Sequence, residues 1–195
     1  MTSKIFLFAI SVILLSSLSV SVFALSTSQG PSNPTSGVNS PIATNADWVN
    51  PGNALTSDNV YATVTLDNAS SDYLNATGFG FTIPAGATID GIIVDVERKT
   101  SSTSPATAIS KDNSVKIIKG GVIVGTEHAT ATSYTTSDVV ESHGTSIDTW
   151  GAGVWTPADI NAANFGVAVS VNKNNQASGK TISIDNIRIT VHYTT

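Results

Sequence analysis

The sequence predicts an all-β fold, an antiparallel β-sandwich with one short helix. Three observations carry that prediction. Ile92, Val94 and Val96 share one face of a run whose Asp95 and Glu97 share the other, the period-two pattern of a strand half in a core and half in water. About eight short apolar runs of this kind are separated by Gly, Pro and Asn turn signals. No alternation of strands with long helical patterns occurs, which excludes parallel α/β folds.

Composition narrows the function classes. The 195 residues suit one domain plus a targeting segment, with 41% hydrophobic and only 12% charged residues. Net charge is −5, and about −6 once a leader carrying Lys4 is removed. That sign argues against nucleic acid, which needs a basic patch. Without cysteine there are no disulfides, zinc–thiolate sites or cysteine nucleophiles.

Taken in order, residues 1–24 read as a signal peptide. Lys4 is their only charge, Ile5 to Leu15 is nearly continuous apolar sequence, and Val22-Phe23-Ala24 suits a peptidase. The rival is a retained membrane anchor. Either way, the rest of the chain is expected outside the cytoplasm.

Residues 25–44, with Pro31, Pro34 and Pro41 and no periodicity, read as a flexible linker or as an N-terminal strand that adds to a neighbouring subunit. Residues 45–195 form the sandwich domain. Trp48 and Asn50-Pro51-Gly52 mark its entrance, and Val60 to Leu66 alternates as a strand. Asn68-Ala69-Ser70 and Asn75-Ala76-Thr77 match the N-glycosylation pattern, and both are placed in loops between strands.

The organising stretch is Phe79 to Arg98, read as a strand, a Pro84-Ala85-Gly86 turn and a longer strand. Lys99 to Ser114 reads as a long loop. Gly120-Gly121 between two apolar runs predicts a hairpin, since both turn positions accept positive φ. In the polar stretch from Ala129 to Gly153, Val139-Val140 is the one strand centre.

Thr156 suits an N-cap, Pro157 the first helical position and Asp159 the reciprocal cap, so one or two helical turns follow. Phe165 to Val171 is a buried strand. In the closing strand, Thr181 to Tyr193, the apolar phase changes between Ile184 and Ile187, which predicts a bulge at Asp185-Asn186.

The run Phe79 to Arg98, Trp150-Gly151, Trp155 to Asn161, Phe165-Gly166-Val167 and Ile184-Asp185-Asn186-Ile187-Arg188-Ile189 resembles a jelly-roll module of prokaryotic secreted and phage surface proteins. The closing Ile-Asp-Asn-Ile is similar to that of jelly-roll carbohydrate-binding modules. The resemblance covers most of the mature chain. It implies a jelly-roll sandwich, a structural calcium in many such modules, and assembly into surface filaments in some.

Candidate chemistry is sparse. His128, His143 and His192 are scattered, and Glu141-Ser142-His143 lies in polar sequence without a nucleophile elbow. Asp95 and Glu97 lie two apart on one strand face, as on a solvated sheet surface. No catalytic residues are assigned.

Calcium wants six to eight oxygens. Of Asp58, Asn59, Asp67, Asp72, Asp90, Asp112, Asn113 and Asp185, all at strand or loop ends, Asp58, Asp90, Asp112 and Asp185 are the candidate ligands. Tyr134 and Trp150 are the candidate sugar-stacking rings, whereas Trp155 beside the cap reads as a buried plug.

The reading that results is a secreted, non-catalytic surface, matrix or filament component that meets copies of itself or other surface proteins, including by strand addition. A carbohydrate-binding module acting on polysaccharide through Tyr134 and Trp150 is the alternative.

Overall fold

The computed structural model describes residues 24–67, 70–104, 109–173 and 179–195. The leader and Asn68 lie outside the described residues. Ten strands are described: β1 Ser26–Ser32, β2 Ser36–Ser40, β3 Ala62–Leu66, β4 Tyr73–Thr77, β5 Thr88–Thr100, β6 Ser110–Lys119, β7 Val122–Val124, β8 Val139–His143, β9 Gly166–Lys173 and β10 Lys180–Thr194. A single turn of helix, α1 Pro157–Asn161, precedes β9.

The strands form two sheets. Sheet A has the order β1-β10-β5-β8, with β3 also pairing β10, and sheet B the order β2-β4-β9-β6-β7. Every ladder is antiparallel. Apart from the β6–β7 hairpin, each strand lies in the other sheet from the one before it. The two four-strand sets, β3-β10-β5-β8 facing β4-β9-β6-β7, are an eight-strand jelly roll, and β1 and β2 extend it.

The core between the sheets follows strand parity. Ile92, Val94 and Val96 of β5, Val167, Val169 and Val171 of β9, and Ile182, Ile184, Ile187, Ile189 and Val191 of β10 are all fully buried. β10 keeps its oily face inward on both sides of the bulge, which falls between Ile184 and Asn186. Gly120 and Gly121 turn β6 into β7 at φ 60° and 81°, as the hairpin requires. The cap of α1 is reciprocal: the Asp159 amide donates to Thr156 Oγ1 and the Thr156 amide to Asp159 Oδ2. Trp155 is buried beneath it, its ring edge-on to Phe165 at 5.6 Å.

Three sequence expectations are corrected. Residues 26–40 are not a linker but β1 and β2, one strand in each sheet of the same chain. Their prolines cost the ladders little: Pro31 sits where the β1–β10 register shifts, while Pro34 and Pro41 lie outside the strands.

Phe79–Ile83 is not the first arm of a hairpin. It crosses from sheet B to sheet A, with Phe79, Phe81 and Ile83 buried. Side chains satisfy its amides: Thr82 N donates to Gln29 Oε1 and Ile83 N to Asn161 Oδ1. The alternation is real, but the partners are not a strand. The loop expected from Lys99 to Ser114 is also shorter, because β5 runs to Thr100 and β6 starts at Ser110.

Gly166 marks a close approach of β4 and β9. A Cβ there would collide with the Ala76 carbonyl oxygen. Gly166→Ala is therefore expected to cost about 1–3 kcal/mol, read as a lower urea midpoint; an unchanged midpoint contradicts that approach.

Candidate functional site

The parity that buries Ile92, Val94 and Val96 also points Arg98 inward, where it is only 3% exposed. A buried guanidinium needs a partner, and Asp112 on β6 supplies it. Arg98 Nη1 donates to both Asp112 oxygens at 3.0 and 3.2 Å. Tyr134 Oη donates to Asp112 Oδ1 at 2.7 Å, and the Thr130 amide and hydroxyl donate to Oδ2. The guanidinium lies 4.2 Å from the centre of the Tyr134 ring and 3.5 Å from Glu141. Burial first, then the charge of Asp112, pushes the Tyr134 phenol well above its ordinary value.

His143, at the end of β8, closes this cluster. Its Nδ1 lies 2.9 Å from the His128 carbonyl, which places the ring proton there. Nε2 is buried without a hydrogen-bond partner, 3.8 Å from Asp112 Oδ2. Burial holds the imidazole below its ordinary value; Asp112, the His128 carbonyl and Glu141 oppose this, and Arg98 reinforces it.

A histidine depressed in this way binds fewer protons folded than unfolded, so stability falls as pH drops through the ordinary imidazole range and levels off below the folded value. Between about pH 7 and 5, His143→Gln is expected to flatten part of the decline in melting temperature. An unchanged slope in the variant contradicts the assignment.

A cavity of about 220 Å³ opens beside this cluster, lined by Ser102, Thr103, Ile109, Ser110, Ser133, Tyr134 and Lys180. Tyr134, Ser110 and Lys180 are buried, while Thr103, Ile109 and Ser133 lie at the exposed rim. The walls are fixed: the Tyr134 amide donates to the Ser110 carbonyl at 2.8 Å, and Ser110 and Thr100 hydroxyls pair at 3.2 Å.

The remaining predicted site residues are placed differently from expectation. Trp150 is fully buried, so it offers no face to a sugar. Its Nε1 donates to the Ile92 carbonyl at 2.8 Å, and its ring stacks on His128 at 4.0 Å. Tyr134 is 3% exposed and contributes to a cavity wall instead of an open platform. The two rings anchor near Ile92 and Arg98, positions about 20 Å apart along β5.

The four aspartates do not gather as one set: Asp58 and Asp185 are neighbours, while Asp90 and Asp112 have other partners. Asp112 is saturated by Arg98, Tyr134 and Thr130, and Asp90 accepts from Thr194 at the far end of β10. Asp185 is buried and accepts the Asp58 and Asn59 amides. Burial first, with Glu97 and Asp58 nearby, raises its carboxyl against those two hydrogen bonds. Among the described residues no three acidic or histidine side chains gather as a metal site, so the four aspartates do not make one calcium site together.

Asn75 sits inside β4, paired to Val38 on one side and Ala168 on the other, with Oδ1 buried and unpartnered. It is not the surface-loop acceptor the sequence suggested. Ser142 and His143 point to opposite sides of β8, toward Asp95 and the His128 carbonyl, so they form no nucleophile–base pair.

One surface was missed. On the outer face of sheet B the small Gly166, Ala168 and Ser170 of β9, all three buried, run between Tyr73 and Asn75 of β4 and Ser114 and Lys116 of β6. The signal was available in the parity of β9, whose core positions are all valine.

No family model matches the chain, and no curated protein matches it. Among solved structures the chain is similar to carbohydrate-binding modules and to a chain of a phage capsid. A xylan-binding domain from Paenibacillus barcinonensis is 11% identical over 85% of this chain and 92% of that one, with a TM-score of 0.39. The N-terminal cellulose-binding domain of a Cellulomonas fimi β-1,4-glucanase is 11% identical over 83% and 92%, with a TM-score of 0.37. A chain of the cyanophage Pam1 capsid asymmetric unit is 15% identical over 92% and 91%, with a TM-score of 0.32. Scores at this level carry no inference about ligand or role; the jelly roll itself rests on the strand order.

Proposed function

We propose that the chain is an exported, non-catalytic surface component, in a cell surface, matrix or filament, that works through protein–protein contacts. The observation that supports this best is the outer edge of sheet A. β8 ends that sheet, and its first two residues, Val139 and Val140, are 45% and 43% exposed. Adjacent strand residues face opposite ways, so apolar side chains flank this edge on both sides. Edges are normally blunted by charge, proline or a bulge; in the five-residue β8 the charge comes at Glu141, after the two valines. At the end of sheet B, Val122 of β7 is also exposed.

A second reading, carbohydrate binding, moves from Trp150 and Tyr134 to the outer face of sheet B. There the half-buried Tyr73 ring lies in the same layer as Asn75 and Asn172, whose Oδ1 atoms are buried without partners. Size exclusion with light scattering separates the two. The mature protein is expected to form oligomers that Val140→Lys disperses with an unchanged circular dichroism spectrum. A monomer that gives a glycan-array signal lost in Tyr73→Ala replaces the first reading with the second.

A further inference from the structure

We infer that the outer face of sheet B receives a second copy of this chain: the β8 margin of sheet A in one copy seats in the groove along β9 of the next. The inference rests on the assembly proposed above and names the surface that meets the β8 edge. The groove is a consequence of residue size. At the Gly166 end of β9 the outer face presents two rows of cross-strand neighbours. One is Ser36, Thr77, Gly166, Ile118 and Ile123, and the other is Val38, Asn75, Ala168 and Lys116. Gly166 and Ala168 form a buried floor, with Val38, 48% exposed, on one side and half-exposed Lys116 on the other. The larger side chains of β4 and β6 stand two strand spacings apart, roughly 10 Å. That width takes one row of side chains from an incoming strand and not a flat sheet.

The β8 margin supplies such a row with matching chemistry. Val140, 43% exposed, and half-exposed Glu97 are cross-strand neighbours on the outer face of sheet A. In the groove, Ala168 and Lys116 are cross-strand neighbours too. Both pairs have the same spacing of about 5 Å, so Val140 set on Ala168 brings Glu97 to Lys116. The charges are available for this. Lys99 and Arg188, the cations of the sheet A face, are matched within the chain by Asp138 and Asp95. Among the described residues neither Glu97 nor Lys116 joins an ion pair. Burial first, then Glu97 and Asp58, raise the nearby Asp185 carboxyl, so this face carries a repulsion that an incoming cation relieves. Glu127, the acid beside the groove, is held by the Ser114 hydroxyl and the Val115 amide. Ridge and groove lie on opposite outer faces, so the contact is heterologous and propagates into an open filament.

The test is light scattering of the mature chain after size exclusion, with two charge reversals. Glu97→Lys and Lys116→Glu are each expected to keep the parent's circular dichroism spectrum, since neither side chain holds an ion pair inside the chain. Each should weaken assembly about tenfold or more, because like charges then meet across the contact. An equimolar mixture of the two should assemble again, since the ridge of each variant fits the groove of the other. Should either variant misfold, the parent's salt dependence decides. Raising sodium chloride from about 0.05 to about 0.5 M should lower the assembled mass, and an unchanged mass overturns the inference. Assembly that neither reversal weakens, or two weakened variants that stay apart when mixed, overturns the inference and leaves the assembly reading in place. A parent that is monomeric throughout overturns both.

Discussion

Asp112→Ala is expected to destabilise the fold by about 3–5 kcal/mol, lowering the melting temperature by roughly 6–20 °C for a domain of this size. The substitution removes the acceptor of three donor residues at once, Arg98, Tyr134 and Thr130, and strands a guanidinium that is 3% exposed. The cost comes from the uncompensated charge and not from the worth of the pair. Arg98→Met combined with Asp112→Leu should therefore recover most of the loss, because it removes both ions together. Urea unfolding of the two variants checks this. A single variant within about 1 kcal/mol of the parent, or a double variant as unstable as the single one, contradicts it.

Trp150→Ala should cost a similar amount, about 3–5 kcal/mol for the cavity. The Ile92 carbonyl and one face of His128 also lose their partner. Trp150→Phe keeps most of the apolar contact and loses the hydrogen bond, so about 1–3 kcal/mol is expected. Backbone geometry adds a second check. Trp150 sits at φ 60°, a left-handed conformation that glycine adopts freely and alanine does not. Trp150→Gly should then be no less stable than Trp150→Ala despite its smaller side chain. Were Trp150 an exposed sugar platform, alanine there would change stability by only about 0.5 kcal/mol. Thermal unfolding of the three variants distinguishes the cases.

Features written in adjacent residues were legible. The Gly120-Gly121 turn, the Thr156 and Asp159 cap and the bulge before Asn186 each follow from local backbone chemistry, and the structure has all three. The alternation of Ile92, Val94 and Val96 likewise located the core face of β5. β1 and β2 were not legible because they are edge strands. Their side chains are mostly exposed or half-exposed, so no apolar period marks them.

The buried cluster could have been glimpsed. Arg98 and Thr100 share the inward parity of Ile92, and a charged residue at such a position demands a buried counter-charge. Which acid answers it is a matter of tertiary approach, as is the burial of Trp150 in a polar stretch. The cavity is assembled from four separate segments, and no local pattern announces it.

In the role proposed above, the jelly roll meets other proteins along its open edges, β8 and β7. The most direct measurement is the hydrodynamic mass, by light scattering after size exclusion, of the protein as its own cells release it. An assembly larger than one chain is expected in the extracellular fraction. A monodisperse monomer there, or recovery of the protein from the cytosol alone, would contradict it.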